Sequence, residues 1–474
     1  MRGLSLSLLL LALAMAAPLS GCPEEEPPPE PPFEPGPWDI GQPTLGPDVS
    51  RRGLTQVRAI VHLHSHWSHD ACDGDPQPGG VPDEDCLADL RAGLCTNRID
   101  IAFLSDHSTH ASEAPLAERL LNRGDDELVL DENGAPIATW STCENGHQVL
   151  LIPGIESELM PLGITEDLPD AWGSNTAEAV QTLKDSGAVV WTSHTEQRTI
   201  EELEELQLDG FELYQLHANL DPGIREDYLG LEPYSYLGQV RAFFFPYENG
   251  ILDPPHPDLA PIAFLEQNEP SLLALETIGQ QRAVAVSGGT DAHQNVFESL
   301  AADGERIDSY RRMMRWFNNR LQIAGELSPA SAKAALLGGR NHIVFEAFGT
   351  PSGFDFRIEA NDITHELGSE FDLGRGVGRV LVDLPSLDPL SPRGYDLPVV
   401  TGRLYRATET GRELVLEWSD GDLELAITEP GVYRTEVWIT PHHLKPYLGE
   451  VADDFIGSPV LWIQSGAIFV RNNE

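Results

Sequence analysis

Basic residues are scarce in this chain, with 30 Lys and Arg against 76 Asp and Glu and a formal charge of −46. A field of that sign repels nucleic acid and anionic lipid and argues against proteins that hold polyphosphate backbones by charge. It also favours cations near any site lined with carboxylates. Cysteine is sparse, five in 474 residues, and lacks the C-x-x-C pairing of thiolate zinc sites. Long hydrophobic runs are missing. The longest, Leu4 to Ala17, is too short to span a bilayer. There is no internal repeat, and the acidic loop Asp70 to Asp85 lacks the regular spacing of an EF-hand, so it reads as a solvated insertion rather than a calcium loop. What is present is an ordinary apolar fraction, 41%, and length for two or three domains.

The short apolar run follows Met1-Arg2 and ends in Leu19-Ser20-Gly21-Cys22, as a secretory signal does. The ending resembles the bacterial lipobox, in which the cysteine is lipidated and becomes the first residue of the mature chain. Residues 1–21 are then a signal, and 22–50 a tether. Its Glu- and Pro-dominated start, Pro23 to Pro37, cannot bury a core. The expectation is an exported protein held at the bacterial envelope, on its periplasmic face or at the cell surface, touching membrane only through lipid on Cys22. In that setting the even set Cys72, Cys86, Cys95 and Cys143 reads as two disulfides, with three connectivities open.

Apolar runs at Val57–Leu63, Ile99–Ser105, Val149–Pro153, Ala188–Ser193, Phe211–Leu216 and Ala283–Ser287 read as buried parallel strands. Helical segments fall between several of them, at Leu87–Leu94, Thr176–Ser186 and Ile200–Leu206, the last with Thr199 as cap and Glu202 three residues on. The alternation predicts a β/α barrel over 51–340. Further helices are expected at Ser309–Ala324 and Ser328–Leu337, the latter capped by Ser328 and stopped by Gly338-Gly339. After Arg340 the pattern changes. Alternating runs at Arg403–Arg406, Glu413–Trp418, Leu423–Ile427 and Val432–Ile439 predict an antiparallel, sandwich-like β-domain over 341–474.

Chemistry-bearing residues stand where the strands end. His62 and His64 are two apart on the first run and share a face. The next runs exit in Ser105-Asp106-His107, Gly154-Ile155-Glu156, Thr192-Ser193-His194 and Gly288-Gly289-Thr290-Asp291-Ala292-His293. In a β/α barrel the carboxyl ends of the strands make one catalytic face, so these residues converge although they are far apart in sequence. Neutral imidazoles with carboxylates suit zinc, manganese or iron, which acidify a bound water to hydroxide near neutral pH. Asp106 is expected to orient His107 from behind. Arg198 reads as a phosphate anchor or as a surface partner of Glu201-Glu202.

The ordered set H-x-H, S-D-H, G-I-E, T-S-H and G-T-D-A-H, each after an apolar strand and running to Gly339-Arg340, resembles the polymerase and histidinol phosphatase (PHP) family of metal-dependent phosphoesterases. The resemblance implies a distorted seven-stranded β/α barrel holding two or three zinc, manganese or iron ions. It implies His62, His64, His107, Glu156, His194, Asp291 and His293 as ligands, with Glu156 as the bridge. Where the family has an Asp or His after the first H-x-H, this chain offers His69 and Asp70, of which Asp70 is preferred. The histidine that many members carry after the glutamate strand is absent from Ser157 to Ile164, which puts a third ion in question. His217 is a substitute ligand or an exposed loop residue. The function implied is a metal-dependent hydrolase, first of phosphoesters on small molecules. The alternatives are carbamate or carboxylic ester hydrolysis on the same metals and a non-enzymatic surface binding protein.

Overall fold

The computed structural model describes residues 50–389, 391–392 and 394–472. Cys22, the signal and the tether lie outside them. The protein is mixed α/β with a C-terminal β-rich region.

The strand Leu54–Leu63 is the organising element. Its second half pairs in parallel with Ile101–Phe103 on one side and Ala285–Ala292 on the other. From these the parallel set extends to Gln148–Ile152 and to Gly210–Gln215. An antiparallel pair, Met160–Leu162 with Val189–Trp191, stands between those outer strands. It is tied to the first by a bridge from Gly154 to Leu162 and to the second by Asp209, whose backbone N–H donates to Val190. Residues alternate along these strands. Val57, Ala59, Val61, Ile101, Phe103, Leu150 and Ile152 enter one core with Trp191 and the helix Pro329–Leu337, while Ile60, Ala102 and Leu151 enter the other, among the outer helices. That is why these segments read as continuous apolar runs rather than as polar–apolar alternation.

The helices at Glu84–Thr96, Ala177–Asp185 and Ile200–Leu206 fall on the expected segments. Thr199 and Glu202 close a reciprocal cap on the last, and Ser328 caps Pro329–Leu337 with Ser331. The expected helix Ser309–Ala324 is half wrong. It runs only from Tyr310 to Trp316, and Asn318–Ala324 is a strand, antiparallel to Leu54–Ala59. Leu321 and Ile323 are buried at period two in the strand-lined core, and that burial overrides the helix-forming Arg, Leu and Gln of the segment.

The same strand pairs on its other edge with Asn341–Val344, which pairs with Val460–Arg471, so the sheet continues unbroken through the expected boundary at Arg340. Gly431–Thr440, Val399–Thr408 and Gly411–Trp418 extend it. A second sheet, ordered Ile363–His365, Asp355–Ala360, Gly378–Asp383, Leu423–Ile427, contributes Ile358, Val380 and Val382 to a core shared with Leu404, Val437 and Phe469 of the first. The described residues cluster as one unit. Two disulfides join Cys72 to Cys86 and Cys95 to Cys143. The first closes the acidic insertion, and the Cys72 N–H donates to the His293 carbonyl, which ties that loop to the strand ends. Among the described residues no helix is long and apolar enough to cross a membrane.

Candidate metal centre

The strand ends deliver eight side chains to one place, in three overlapping groups whose donor atoms lie within 4.8 Å of one another: His62, His64, Glu156 and Asp291; His64, His107 and His293; His194, His217 and Asp291. In the first group His62 Nε2 is 3.1 Å from both Glu156 Oε2 and Asp291 Oδ1, and His64 Nε2 is 3.3 Å from the same two oxygens. His107 Nδ1 stands 3.4 Å from Glu156 Oε2, so this carboxylate lies between the first and second groups. Asp70 completes the second, with Oδ2 3.5 Å from His107 Nε2 and 3.4 Å from His293 Nε2. In the third, Asp291 Oδ2 is 3.5 Å from His194 Nε2 and 3.4 Å from His217 Nδ1. Asp291 is therefore shared between two groups as Glu156 is, and the structure brings His217 to the cluster beside His194.

The local backbone is bent to achieve this. His62, His194 and Asp291 have φ of 72°, 48° and 51°, in the left-handed region that costs a non-glycine residue on the order of 1–3 kcal/mol. At His62 the bend goes with a register shift between Val61 and Leu63. Simple alternation would put His62 and His64 on one face. Here a bulge re-aims His62, and the two rings still meet with centroids 5.0 Å apart.

Behind the cluster, partners fix each ring. Glu212, fully buried on Gly210–Gln215, lies 2.6 Å from His62 Nδ1 and accepts the backbone N–H of His194. Ser68 Oγ is 2.7 Å from His64 Nδ1 and accepts the His107 N–H. His293 Nδ1 is 3.0 Å from the Asp291 carbonyl. Gln215 donates to Asp291 Oδ2 at 2.8 Å, and its carbonyl caps the short helix that carries His217. Gly289 is required by close approach, since a Cβ there would stand 1.9 Å from Glu212 Oε1. Glu212, Ser68 and Gln215 escaped the sequence reading. For Glu212 the signal was present, an acid inside an otherwise apolar strand.

Two expected roles are corrected. Asp106 does not orient His107. Its buried carboxylate accepts from the N–H and the hydroxyl of Ser65, and it holds the turn after His64. Arg198 does not face the centre. It donates to the Glu158 carbonyl at 2.9 Å, 3.7 Å from that residue's carboxylate, and so braces the loop after Glu156.

The electrostatics are those of carboxylates and imidazoles packed together out of water. Burial alone would lower His62, His64 and His194, yet the carboxylates around them outweigh it. His62 is raised well above its usual value, and His64 and His194 are raised to about 9. Burial would raise Glu156 and Asp291, and the surrounding imidazoles hold both well below the carboxylate range. His293 is lowered to about 4 by burial and by His64. His62 Nε2, His64 Nε2, His293 Nε2 and Glu156 Oε2 are buried and have no hydrogen-bond partner. Donors about 2.0–2.1 Å from a shared ion stand about 3.3 Å apart in a tetrahedral set, which matches the 3.1–3.5 Å separations here. Imidazole with carboxylate is the donor chemistry of first-row divalent metals, and the residues fit such ions.

No protein-family model matches the chain, and no curated protein matches it. Among solved structures it is similar to PsfC from Pseudomonas syringae, at 14% identity over 62% of this chain and 93% of that one, with a TM-score of 0.33. It is also similar to a two-domain protein from Bacteroides vulgatus that contains a predicted PHP-like metal-dependent phosphoesterase, at 12% identity over 87% of this chain and 97% of that one, with a TM-score of 0.33.

Proposed function

We propose that this protein is a metal-dependent hydrolase of the PHP type, acting first on phosphoesters. The observation that carries the reading is the chain of three donor groups linked through Glu156, Asp291 and His64, with buried donor atoms that have no other partner. Two or three ions of zinc, manganese or iron would be held by His62, His64, Glu156 and Asp291, by His64, His107, His293 and Asp70, and by His194, His217 and Asp291. Bound there, they would supply Lewis acidity, which lowers the pKa of a bound water toward neutrality and polarises a substrate oxygen. The fold fits the seven-stranded barrel of that type if the Met160–Leu162 and Val189–Trp191 pair closes the ring between Gln148–Ile152 and Gly210–Gln215.

The chain's own residues do the arranging. Glu212 accepts a hydrogen bond from the Nδ1–H of His62 and so leaves the Nε2 lone pair to face an ion, and the Asp291 carbonyl does the same for His293. Gln215 sets the orientation of Asp291, so that one carboxylate serves two groups. Carboxylic ester or carbamate hydrolysis is the second reading, because Lewis acidity alone does not select phosphorus over carbon. Elemental analysis of purified protein, with bis(p-nitrophenyl) phosphate and p-nitrophenyl carboxylates as substrates, tests both. About two or more bound ions and faster phosphoester turnover are expected. Turnover of carboxylic esters alone would favour the second reading, and metal-free protein of full activity would defeat both.

The mature chain is proposed to be lipid-anchored through Cys22 at the bacterial envelope, with a small-molecule ester as substrate and no nucleic-acid partner. The lipobox likeness and the net charge support this. Cys22→Ser is expected to release the protein from the membrane fraction. Retention of that variant would contradict the anchor.

A further inference from the structure

A cavity of about 680 Å³ opens over the donor cluster, within the roughly 300–1,000 Å³ of ordinary ligand sites. Asp70, His107, Glu156, His194, Asp291 and His293 form its floor. Above them the lining changes character. Tyr236, Val240, Phe244, Phe264, Met313 and Trp316 wall it with buried aromatic and aliphatic surface. The first four come from the long excursion between the Gly210–Gln215 and Ala285–Ala292 strands, and the last two from the helix Tyr310–Trp316. At the mouth Tyr234, Leu237, Val296 and Phe297 line the same cavity and are exposed. Single exposed apolar side chains are ordinary, but four around one opening, continuous with a buried apolar wall, form a surface prepared for an apolar ligand.

Charge points the same way. Among the described residues the one Lys or Arg lining the cavity is Arg241, which donates to Glu248 at 2.8 Å and lies over the Phe245 ring. Asp308 is occupied by the N–H groups of Val296 and Phe297 and by Arg306. Beyond the floor and His217, which stands against Asp291, no described lining residue offers positive charge without a carboxylate partner to a second phosphate.

We infer that the substrate carries a single phosphoester head, placed at the donor cluster, and a bulky apolar group, a long alkyl chain or fused aryl system, seated against the Phe244–Trp316 wall. Polyphosphates and other multiply anionic substrates are rejected because the cavity gives them no second anchor. This rests on the hydrolase reading for the position of the head, whereas the wall stands on its own geometry.

Calorimetry on the metal-loaded protein with n-alkylphosphonates from methyl to octyl, which bind without hydrolysis, tests it. Each added methylene is expected to tighten Kd by up to about fourfold until the wall is covered, with an increasingly negative heat-capacity change. Pyrophosphate should bind no better than methylphosphonate. Phe244→Ala should flatten the series at equal metal content. So should Phe297→Asp, a rim change that leaves the buried wall intact. A series indifferent to chain length, no binding of octylphosphonate, or a preference for pyrophosphate would overturn the inference. The hydrolase reading fails by a different result, absence of p-nitrophenyl ester turnover at full metal occupancy, which leaves the chain-length series untouched.

Discussion

Glu212 shows how much of the centre depends on residues that hold no metal. Its carboxylate is buried, and burial pushes it up while His62 and His194 pull it back. It stays useful only because one oxygen faces His62 Nδ1 and the other accepts the His194 N–H. Glu212→Gln is expected to weaken metal binding by about 10–100-fold, the usual loss when a partner behind a ligand is removed. Gly289→Ala should act in the same direction, since its Cβ would fall on Glu212 Oε1. Equilibrium dialysis of both variants against a chelator measures this, and wild-type affinity in each would remove Glu212 from the account. That these donor side chains converge was legible in the sequence because most of them stand at the end of an apolar strand. Asp106 and Arg198 were misjudged because adjacency in sequence was taken for contact. A carboxylate beside a ligand found the Ser65 N–H nearer than the His107 ring.

At the scale of elements, the join between the expected barrel and the expected sandwich is sewn by a buried ion cluster. Glu346, just past Asn341–Val344, pairs with Arg58 of the first strand at 2.8 Å and with Arg320 of Asn318–Ala324 at 3.0 Å, and it accepts from Thr350. Burial would raise its carboxyl, but Arg320 and Arg58 hold it well below the usual range. A depressed folded pKa means the stabilisation is fully present above the unfolded value of about 4.3 and is lost as pH falls below it. Glu346→Gln leaves arginines buried without their carboxylate and is expected to cost about 3–5 kcal/mol at neutral pH. Thermal melts from pH 7 to 3 should show the gap between wild type and variant closing below about pH 4, and a constant gap would contradict this origin. Sequence periodicity could not show this seam. The Gly338-Gly339 stop looked like a domain end, while the pairing of Asn341–Val344 with strands distant in sequence is set by tertiary contact. The Asn318–Ala324 strand was lost in the same way, its helix-forming residues masking a segment buried almost throughout by tertiary pairing.

Across the whole molecule, net charge and cavity act on different ranges. A charge of −46 repels anions at a distance, but its reach in physiological salt is about 8 Å. At the cavity floor, bound divalent ions would reverse the sign over a few ångströms, and the walls would add apolar contact. Three features support one reading of the molecule: an excess of carboxylates, a cluster of His, Asp and Glu donors, and an apolar chamber above it. The chamber was not visible in the sequence. Most of its wall comes from irregular chain and short helices between residues 216 and 264, where no periodicity marks which side chains face inward, and the rest from the helix Tyr310–Trp316. The centre is the claim on which the rest depends, and its most direct test is metal stoichiometry by mass spectrometry on wild type, Glu156→Gln, Asp291→Asn and His217→Ala, each paired with phosphoester turnover. Glu156 and Asp291 each link two donor groups, so their amide variants are expected to lose at least one ion and fall in turnover by about a hundredfold or more. His217→Ala is expected to lose only the ion shared with His194 and Asp291. Wild-type metal content and turnover in both Glu156→Gln and Asp291→Asn would contradict the account.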